Sequence, residues 1–146
     1  MQITTFYFDM DGTIADLYGV ENWLKDLRAE KTRPYEEALP LIDCEKLVKI
    51  IVSLKSKGYR FSIISWSSKI ASPEYRKRIR KVKVAWLKKY FPNCFDEIHV
   101  IKHGTPKHYL AKNGGILFDD EEKNRERWNK GKSFSEKEIF KILEQY

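Results

Sequence analysis

Two hydrophobic spacings alternate along this chain and predict strands and helices in turn. Short apolar runs predict buried strands at residues 3–8, 59–65, 97–101 and 115–118. Apolar positions three and four apart predict helices over residues 20–30, 43–57 and 73–91, with further helices after Asp120 and from Ser135. Because strands that alternate with helices form parallel sheets, we expect an α/β fold. Its form is a Rossmann-like three-layer sandwich, with helices on both faces of a mostly parallel central sheet.

Residues that start and stop helices mark several boundaries. Asp43 is placed to cap the helix over residues 43–57, and Pro73 opens the long helix that follows. The pair Arg33-Pro34 is expected to break the chain after the first helix. Ser135 and Glu138 have the spacing of a capping box for the last helix.

Composition indicates one folded domain. The 146 residues are 42% apolar and 14% aromatic, which argues against disorder and is enough to bury one core. No apolar run has membrane-spanning length and no signal-like segment is evident, so we expect a cytoplasmic protein without a membrane partner. Cys44 and Cys94 lack C-x-x-C spacing and indicate neither a zinc site nor a disulfide. The net charge of +7 favours anionic partners, phosphate esters and nucleic acids alike.

Candidate chemistry begins where the first predicted strand ends. Asp9 and Asp11 stand one residue apart directly after Phe8, at the sheet edge where open α/β folds bind ligands. Two carboxylates this close repel each other unless a cation or a proton lies between them. One of them can attack phosphorus, while the other protonates the leaving oxygen and then activates water. Gly12 allows a tight turn, and Thr13 adds a hydroxyl and an N–H near an incoming phosphate.

A calcium loop is a competing interpretation of this D-x-D pattern. Such a loop needs Gly at its sixth position and Glu at its twelfth, where this chain has Ile14 and Val20. A purely structural role is also disfavoured, because nothing in the local sequence neutralises the two acids.

The string D-M-D-G-T resembles the first motif of the haloacid dehalogenase superfamily of phosphohydrolases, and residues 9–16 are similar to the opening of 5′(3′)-deoxyribonucleotidases. The resemblance implies one hydrolase domain of that fold over residues 1–146, with Mg²⁺ as cofactor. It implies an aspartyl phosphate on Asp9 and an acid and base role for Asp11. It also implies three further motifs, and the sequence offers candidates for them in the same order.

The second and third motifs are expected to hold the phosphoryl group. Ser65 ends the second strand, with Ser67 and Ser68 as possible substitutes, and its hydroxyl can donate to a phosphoryl oxygen without adding charge. Lys107 is the favoured phosphate-binding lysine, and Lys102 is its rival.

Trp66 follows Ser65 and is expected either to stack on a base or sugar face or to pack under the loop.

The fourth motif is Asp119-Asp120, which ends the fourth strand, with Asn124 one helical turn later. Such acids complete an oxygen cage for Mg²⁺.

The resemblance implies that Asp9, the backbone carbonyl of Asp11, and the acids Asp119 and Asp120 bind the metal. Spacing does not decide whether Asp119 or Asp120 contacts the metal.

The only insertion spans about residues 14–42, and the resemblance implies that it forms a small helical cap that leaves the site open. Its candidates for substrate contact are Tyr18, Trp23, Arg28 and Tyr35.

The long third helix is strongly basic. Its cations are Arg76, Lys77, Arg78, Arg80, Lys81, Lys83, Lys88 and Lys89. We expect a solvated face around an apolar stripe, and the alternative is a surface that follows a nucleic-acid backbone.

The four motifs predict an Mg²⁺-dependent phosphatase whose substrate is a small phosphate monoester, with a nucleoside monophosphate favoured. Two alternatives stay open. One is a phosphatase acting on nucleic-acid ends, and the other is a non-catalytic domain that binds phosphate or nucleic acid.

Overall fold

The computed structural model describes residues 4–111 and 114–146. Its strands are β1 (Thr5–Phe8), β2 (Ala15–Asp16), β3 (Leu39–Pro40), β4 (Arg60–Trp66), β5 (Glu97–Ile101), β6 (Ile116–Phe118) and β7 (Ser133–Phe134). Its α-helices are α1 (Trp23–Arg28), α2 (Arg33–Glu37), α3 (Cys44–Ser56), α4 (Pro73–Tyr90), α5 (Glu122–Arg127) and α6 (Ile139–Leu143). Short 3₁₀ helices span Leu17–Gly19, Lys107–Leu110 and Glu136–Glu138.

The central sheet has five strands in the order β5-β4-β1-β6-β7, and every pairing in it is parallel. This arrangement confirms the predicted α/β class. In the register of the sheet, Phe8 lies opposite both Ile63 and Phe118. The carboxyl ends of β1, β4 and β6 therefore meet at one edge, next to each other.

Aromatic side chains fill the larger core, on one face of the sheet. Phe6 of β1 stacks on Phe61 of β4 at a ring distance of 5.1 Å, and Phe8 packs at a tilt against Phe118 of β6 at 5.0 Å. Apolar residues of α3, α4 and α6 cover this face. Because side chains alternate along a strand, Tyr7 belongs to the opposite face, where a smaller cluster is covered by residues such as Trp128.

Helix boundaries largely follow the sequence signals. The carboxylate of Asp43 accepts the Lys46 N–H at the start of α3. Ser72 caps α4 and Pro73 occupies its first turn, where a missing N–H costs nothing. The first residue of the first predicted strand, Ile3, lies outside the described residues.

Three of the expected helix boundaries differ in the structure. The side chain of Ser135 makes no capping bond, because the chain forms the 3₁₀ turn Glu136–Glu138 there before α6. Arg33 and Pro34 begin α2 rather than only ending a helix, since proline is tolerated in a first helical turn. The helix expected over residues 20–30 is shorter, with a 3₁₀ turn at Leu17–Gly19 before α1.

The insertion at 14–42 forms a small subdomain that we call the cap. Strands β2 and β3 pair antiparallel and bring its two ends together, and the Leu41 N–H donates to the Ile14 carbonyl at 2.9 Å. The cap packs on α4. The Tyr75 hydroxyl donates to the Lys31 carbonyl at 2.7 Å, and the Trp86 indole N–H donates to the Ala38 carbonyl at 2.7 Å.

Among the helices of the described ranges, none combines the length and the apolar character needed to cross a membrane.

Candidate active site

The site lies where β1, β4 and β6 end. Asp9 directly follows β1, Asp119 directly follows β6, and the loop after Asp9 turns back sharply because three N–H groups, of residues 13–15, donate to the carbonyl of Met10. Gly12 has φ +85°, and a Cβ atom at this position would be 2.3 Å from an oxygen of Asp120. Only glycine lets the loop and the Asp120 carboxylate approach this closely.

Three acids form a cluster at this edge. Oxygens of Asp9, Asp119 and Asp120 all lie within 4.8 Å of one another. Thr13 links two of them, since its hydroxyl lies 2.9 Å from Asp9 Oδ2 and 3.1 Å from Asp120 Oδ1. These carboxylate oxygens are the hard ligands that Mg²⁺ prefers, so the side chains present fit a divalent cation.

Lys107 is the cation that the structure brings to this cluster. Its Nζ donates to Asp9 Oδ1 at 2.8 Å and to Asp119 Oδ2 at 2.7 Å, and the residue is only 5% exposed. Lys102, the rival candidate, is exposed. One ammonium group therefore pairs with two of the three acids.

Charge and burial act in opposite directions on this ion pair. Burial by itself raises the pKa of Asp9, but the Lys107 ammonium, with hydrogen bonds from Asp120, Lys107 and Thr13, leaves that pKa below its ordinary value. Burial by itself lowers the pKa of Lys107, and the charges of Asp9 and Asp119 outweigh it and raise that pKa. The pair is thus held as a carboxylate and an ammonium.

The other two acids hold protons more tightly. Burial, together with repulsion from Asp9, raises the pKa of Asp119 to about 6 despite the Lys107 charge. Burial raises the pKa of Asp120 to about 8, helped by a hydrogen bond shared with Asp9 and by the negative charges of Asp9 and Asp119. A positive charge placed among the three acids would relieve this repulsion.

Asp119 and Asp120 differ in the number of hydrogen bonds that their carboxyl oxygens make. Asp119 is completely buried, and its carboxylate accepts from Lys107, from the Glu121 N–H at 2.9 Å and from the Asn124 amide at 3.1 Å. The carboxyl group of Asp120 accepts from Thr13 and shares one hydrogen bond with Asp9. Asp120 therefore has more lone pairs free for a cation.

The side chain of Asp11 turns away from this cluster toward Lys83 of α4. Lys83 Nζ donates to Asp11 Oδ2 at 2.9 Å, to Ser65 Oγ at 2.7 Å and to the Trp66 carbonyl at 2.9 Å. It also lies 4.9 Å from the ring centre of Tyr35 in the cap. Burial raises the pKa of Asp11 above its ordinary value, and the charge of Lys83 opposes that rise.

The expectation that Lys83 belongs to a solvated basic face was wrong, because the residue is only 1% exposed. The spacing of the buried residues could have identified it. Lys83 lies four residues after Ile79 and three before Trp86, so it falls on the buried stripe of α4. Its charge concealed this position in a run of lysines and arginines.

Ser65 and Trp66 point to opposite faces because β4 continues through both. Ser65 is completely buried and its oxygen accepts from Lys83, while its hydroxyl hydrogen has no acceptor among the residues that the structure describes. The Trp66 indole N–H donates to the Thr105 carbonyl at 2.9 Å, and its ring lies 5.3 Å from Lys107 Nζ. Trp66 thus holds the loop that carries Lys107.

A cleft of about 620 Å³ opens above these residues. Asp9, Asp11 and Lys107 are part of its lining. The four cap residues proposed from the sequence line it as well: Tyr18, Trp23, Arg28 and Tyr35. Trp66 and Ser67 also line it, and the buried hydroxyl of Ser67 has no hydrogen-bond partner in the part of the chain that the structure describes.

The fold and this site define an α/β protein with an acid cluster at the carboxyl edge of a parallel sheet, beneath a small cap. The chain matches no protein-family model and no curated protein sequence. Its function is therefore inferred from the geometry of the site and from the motifs in the sequence.

Proposed function

We propose that this protein is an Mg²⁺-dependent phosphatase of the haloacid dehalogenase type, which hydrolyses a phosphate monoester through an aspartyl phosphate. The observation that carries the proposal is that the two acids of the D-x-D motif are paired with different lysines. Asp9 is paired with Lys107 inside the three-acid cluster, whereas Asp11 is held apart by Lys83. One carboxylate is thus set up as a nucleophile and the other for proton transfer.

In the first step, a carboxylate oxygen of Asp9 forms a bond to phosphorus while the bond from phosphorus to the ester oxygen breaks. Asp11 gives its proton to the leaving oxygen. In the second step, Asp11 takes a proton from water as the water oxygen attacks phosphorus and releases Asp9. The lowered pKa of Asp9 keeps the nucleophile ionised, and the raised pKa of Asp11 favours the protonated acid that the first step requires.

In this mechanism two side chains bind the transferring phosphoryl group. Lys107 supplies positive charge beside Asp9. The backbone N–H groups of Gly12 and Thr13, which the sequence suggested for this role, instead donate within the turn to the carbonyls of Ala15 and Met10. Ser65 contributes a hydroxyl whose oxygen already accepts from Lys83. A bound Mg²⁺ would be held by Asp9, Asp119 and Asp120 with the backbone carbonyl of Asp11, and it would neutralise charge on the phosphoryl oxygens.

We propose a nucleoside monophosphate as the substrate and the cytoplasm as the compartment. The cleft volume of about 620 Å³ is in the range of small-molecule sites. Its walls offer the aromatic rings of Tyr18, Trp23, Tyr35 and Trp66, on which a base can stack. Tyr18 and Trp23 already meet edge to face at 5.0 Å, so they form one aromatic wall of the cap.

A phosphatase screen tests the proposal. Nucleotides, sugar phosphates and oligonucleotides phosphorylated at the 5′ or 3′ end are offered with Mg²⁺ and with EDTA. We expect Mg²⁺-dependent release of phosphate, fastest from a mononucleotide. Asp9→Asn should lose at least about 10³-fold in rate, because the nucleophile is removed. Asp43→Asn is the matched control, since asparagine still caps α3 and Asp43 is not part of the cleft lining.

The acid role of Asp11 has its own test. Asp11→Asn should lose far more rate on an alkyl phosphate, whose leaving oxygen needs a proton, than on an activated aryl phosphate. Equal losses on the two substrates would contradict the acid role. The two alternatives give different results in the screen: preference for phosphorylated oligonucleotides favours an end phosphatase, and no turnover of any ester favours a non-catalytic binding domain.

A further inference from the structure

Lys83 is a second buried lysine at the site, and no bond-forming or proton-transfer step of the proposed mechanism passes through it. Its three N–H donors are matched by three acceptors, the Asp11 carboxylate, the Ser65 hydroxyl and the Trp66 carbonyl, all within 2.9 Å. A buried ammonium is tolerated only when it is paired and fully hydrogen-bonded, and this one is. Such a group fixes its partners in place, because any shift leaves a buried charge unsatisfied.

The two buried lysines lie on opposite sides of β4. Lys107 lies over the ring of Trp66, whereas Lys83 binds the hydroxyl of Ser65, and these neighbouring side chains point to opposite faces of the strand. Lys107 pairs with Asp9 and Lys83 pairs with Asp11. The two acids of the D-x-D motif are therefore pulled apart by two cations.

The contact to Asp11 uses only one of its oxygens. Lys83 binds Oδ2, and Oδ1 has no hydrogen-bond partner among residues 4–111 and 114–146. Asp11 lines the cleft. A carboxyl group held in this way has one oxygen fixed and the other available to a group in the cleft.

We infer that Lys83 is a positioning residue. It holds the Asp11 carboxyl toward the leaving group and out of the acid cluster of Asp9, Asp119 and Asp120. The inference rests on the proposed phosphatase function and adds a requirement to it. The proton that reaches the leaving oxygen as the phosphorus–oxygen bond breaks comes from a carboxyl whose position Lys83 sets, and Lys83 itself transfers no proton.

Lys83→Met tests this, because methionine fills similar volume without charge or donors. Lys81→Met is the matched control, since Lys81 is an exposed lysine of the same helix. We expect Lys83→Met to lower kcat on an alkyl phosphate roughly 10–100-fold, the scale of a misplaced catalytic group. KM should change little, and the loss on an activated aryl phosphate should be under about threefold, because its leaving group needs no proton.

A double-mutant cycle with Asp11→Asn separates positioning from a general structural role. If Lys83 acts through Asp11, Lys83→Met should add less than about threefold to the loss already caused by Asp11→Asn. Lys83→Gln retains a donor and should recover part of the rate on the alkyl phosphate. It also serves as the second variant should Lys83→Met fail to fold, which circular dichroism reports.

Equal losses for Lys83→Met on the alkyl and the aryl phosphate, or full additivity of Lys83→Met with Asp11→Asn, would overturn the inference. A Lys83→Met protein as active as Lys81→Met would do the same. The phosphatase proposal would still stand in each of these cases, because it depends on turnover by the wild-type protein. If the folded wild-type protein with Mg²⁺ hydrolyses no phosphate ester, the proposed function fails and the inference fails with it.

Discussion

Replacing Lys107 with methionine should destabilise the protein far more than the same change at Lys102. Lys107 is 5% exposed and makes two ion pairs, of 2.8 Å with Asp9 and 2.7 Å with Asp119. Removing one partner of a buried pair leaves uncompensated charge and typically costs about 3–5 kcal/mol. For a domain of this size each kcal/mol lowers Tm by roughly 2–4 °C, so we expect a decrease of about 10 °C in EDTA.

The assay is thermal and urea unfolding of wild type, Lys107→Met and Lys102→Met, each with EDTA and with millimolar Mg²⁺. Lys102 is exposed, and its substitution should change the free energy of unfolding by less than about 0.5 kcal/mol. Because Mg²⁺ supplies the missing positive charge, it should stabilise Lys107→Met more than wild type. Activity should nevertheless stay low, since Lys107 also binds the phosphoryl group in the proposed mechanism.

Two results would refute this reasoning. A loss below about 1 kcal/mol for Lys107→Met in EDTA would show that the buried carboxylates do not depend on the lysine. An identical Mg²⁺ response in wild type and Lys107→Met would show that the cation and the lysine do not act on the same charges.

Three further predictions concern the acid cluster, the cleft and the basic helix. In EDTA the free energy of unfolding should fall as pH rises from about 5 to 8, because folded Asp120, with its pKa raised to about 8, keeps a proton that the unfolded chain has lost. Urea unfolding with millimolar Mg²⁺ should show a flatter dependence on pH, and equal slopes with EDTA and with Mg²⁺ would contradict the cation site. Ser67→Ala should leave Tm unchanged or higher, since the buried hydroxyl has no hydrogen-bond partner in the described chain. The same change should raise KM several-fold if that hydroxyl contacts the substrate, and a lower Tm would indicate a structural role. Reversing the exposed Lys77, Lys81 and Lys88 to Glu should leave mononucleotide turnover nearly unchanged, and a salt-dependent loss confined to phosphorylated oligonucleotides would favour the end-phosphatase alternative.

The parts of this molecule that sequence predicts well are those set by local pattern. An apolar run followed at once by acids marks the ends of β1 and β6, and parallel pairing then requires that Asp9 and Asp119 lie close together. Strand β7 has only two residues, too few for any alternation to show. The burial of Lys83 is hidden from the sequence because a lysine in a basic helix is usually solvated, and only tertiary contacts with Asp11 and Ser65 reverse that expectation.

The contact of Tyr35 with Lys83 limits how freely the cap can be exchanged. A cap is often regarded as a replaceable module, whose loops can be redesigned for a new substrate while the chemistry below stays intact. Here the ring of Tyr35 lies 4.9 Å from the ammonium that holds Asp11. A transplanted cap without an aromatic residue at that point would alter the packing around Asp11, the proton donor of the proposed mechanism, as well as the lining of the cleft. Redesign of specificity in this scaffold should therefore keep Tyr35 and vary Tyr18, Trp23 and Arg28.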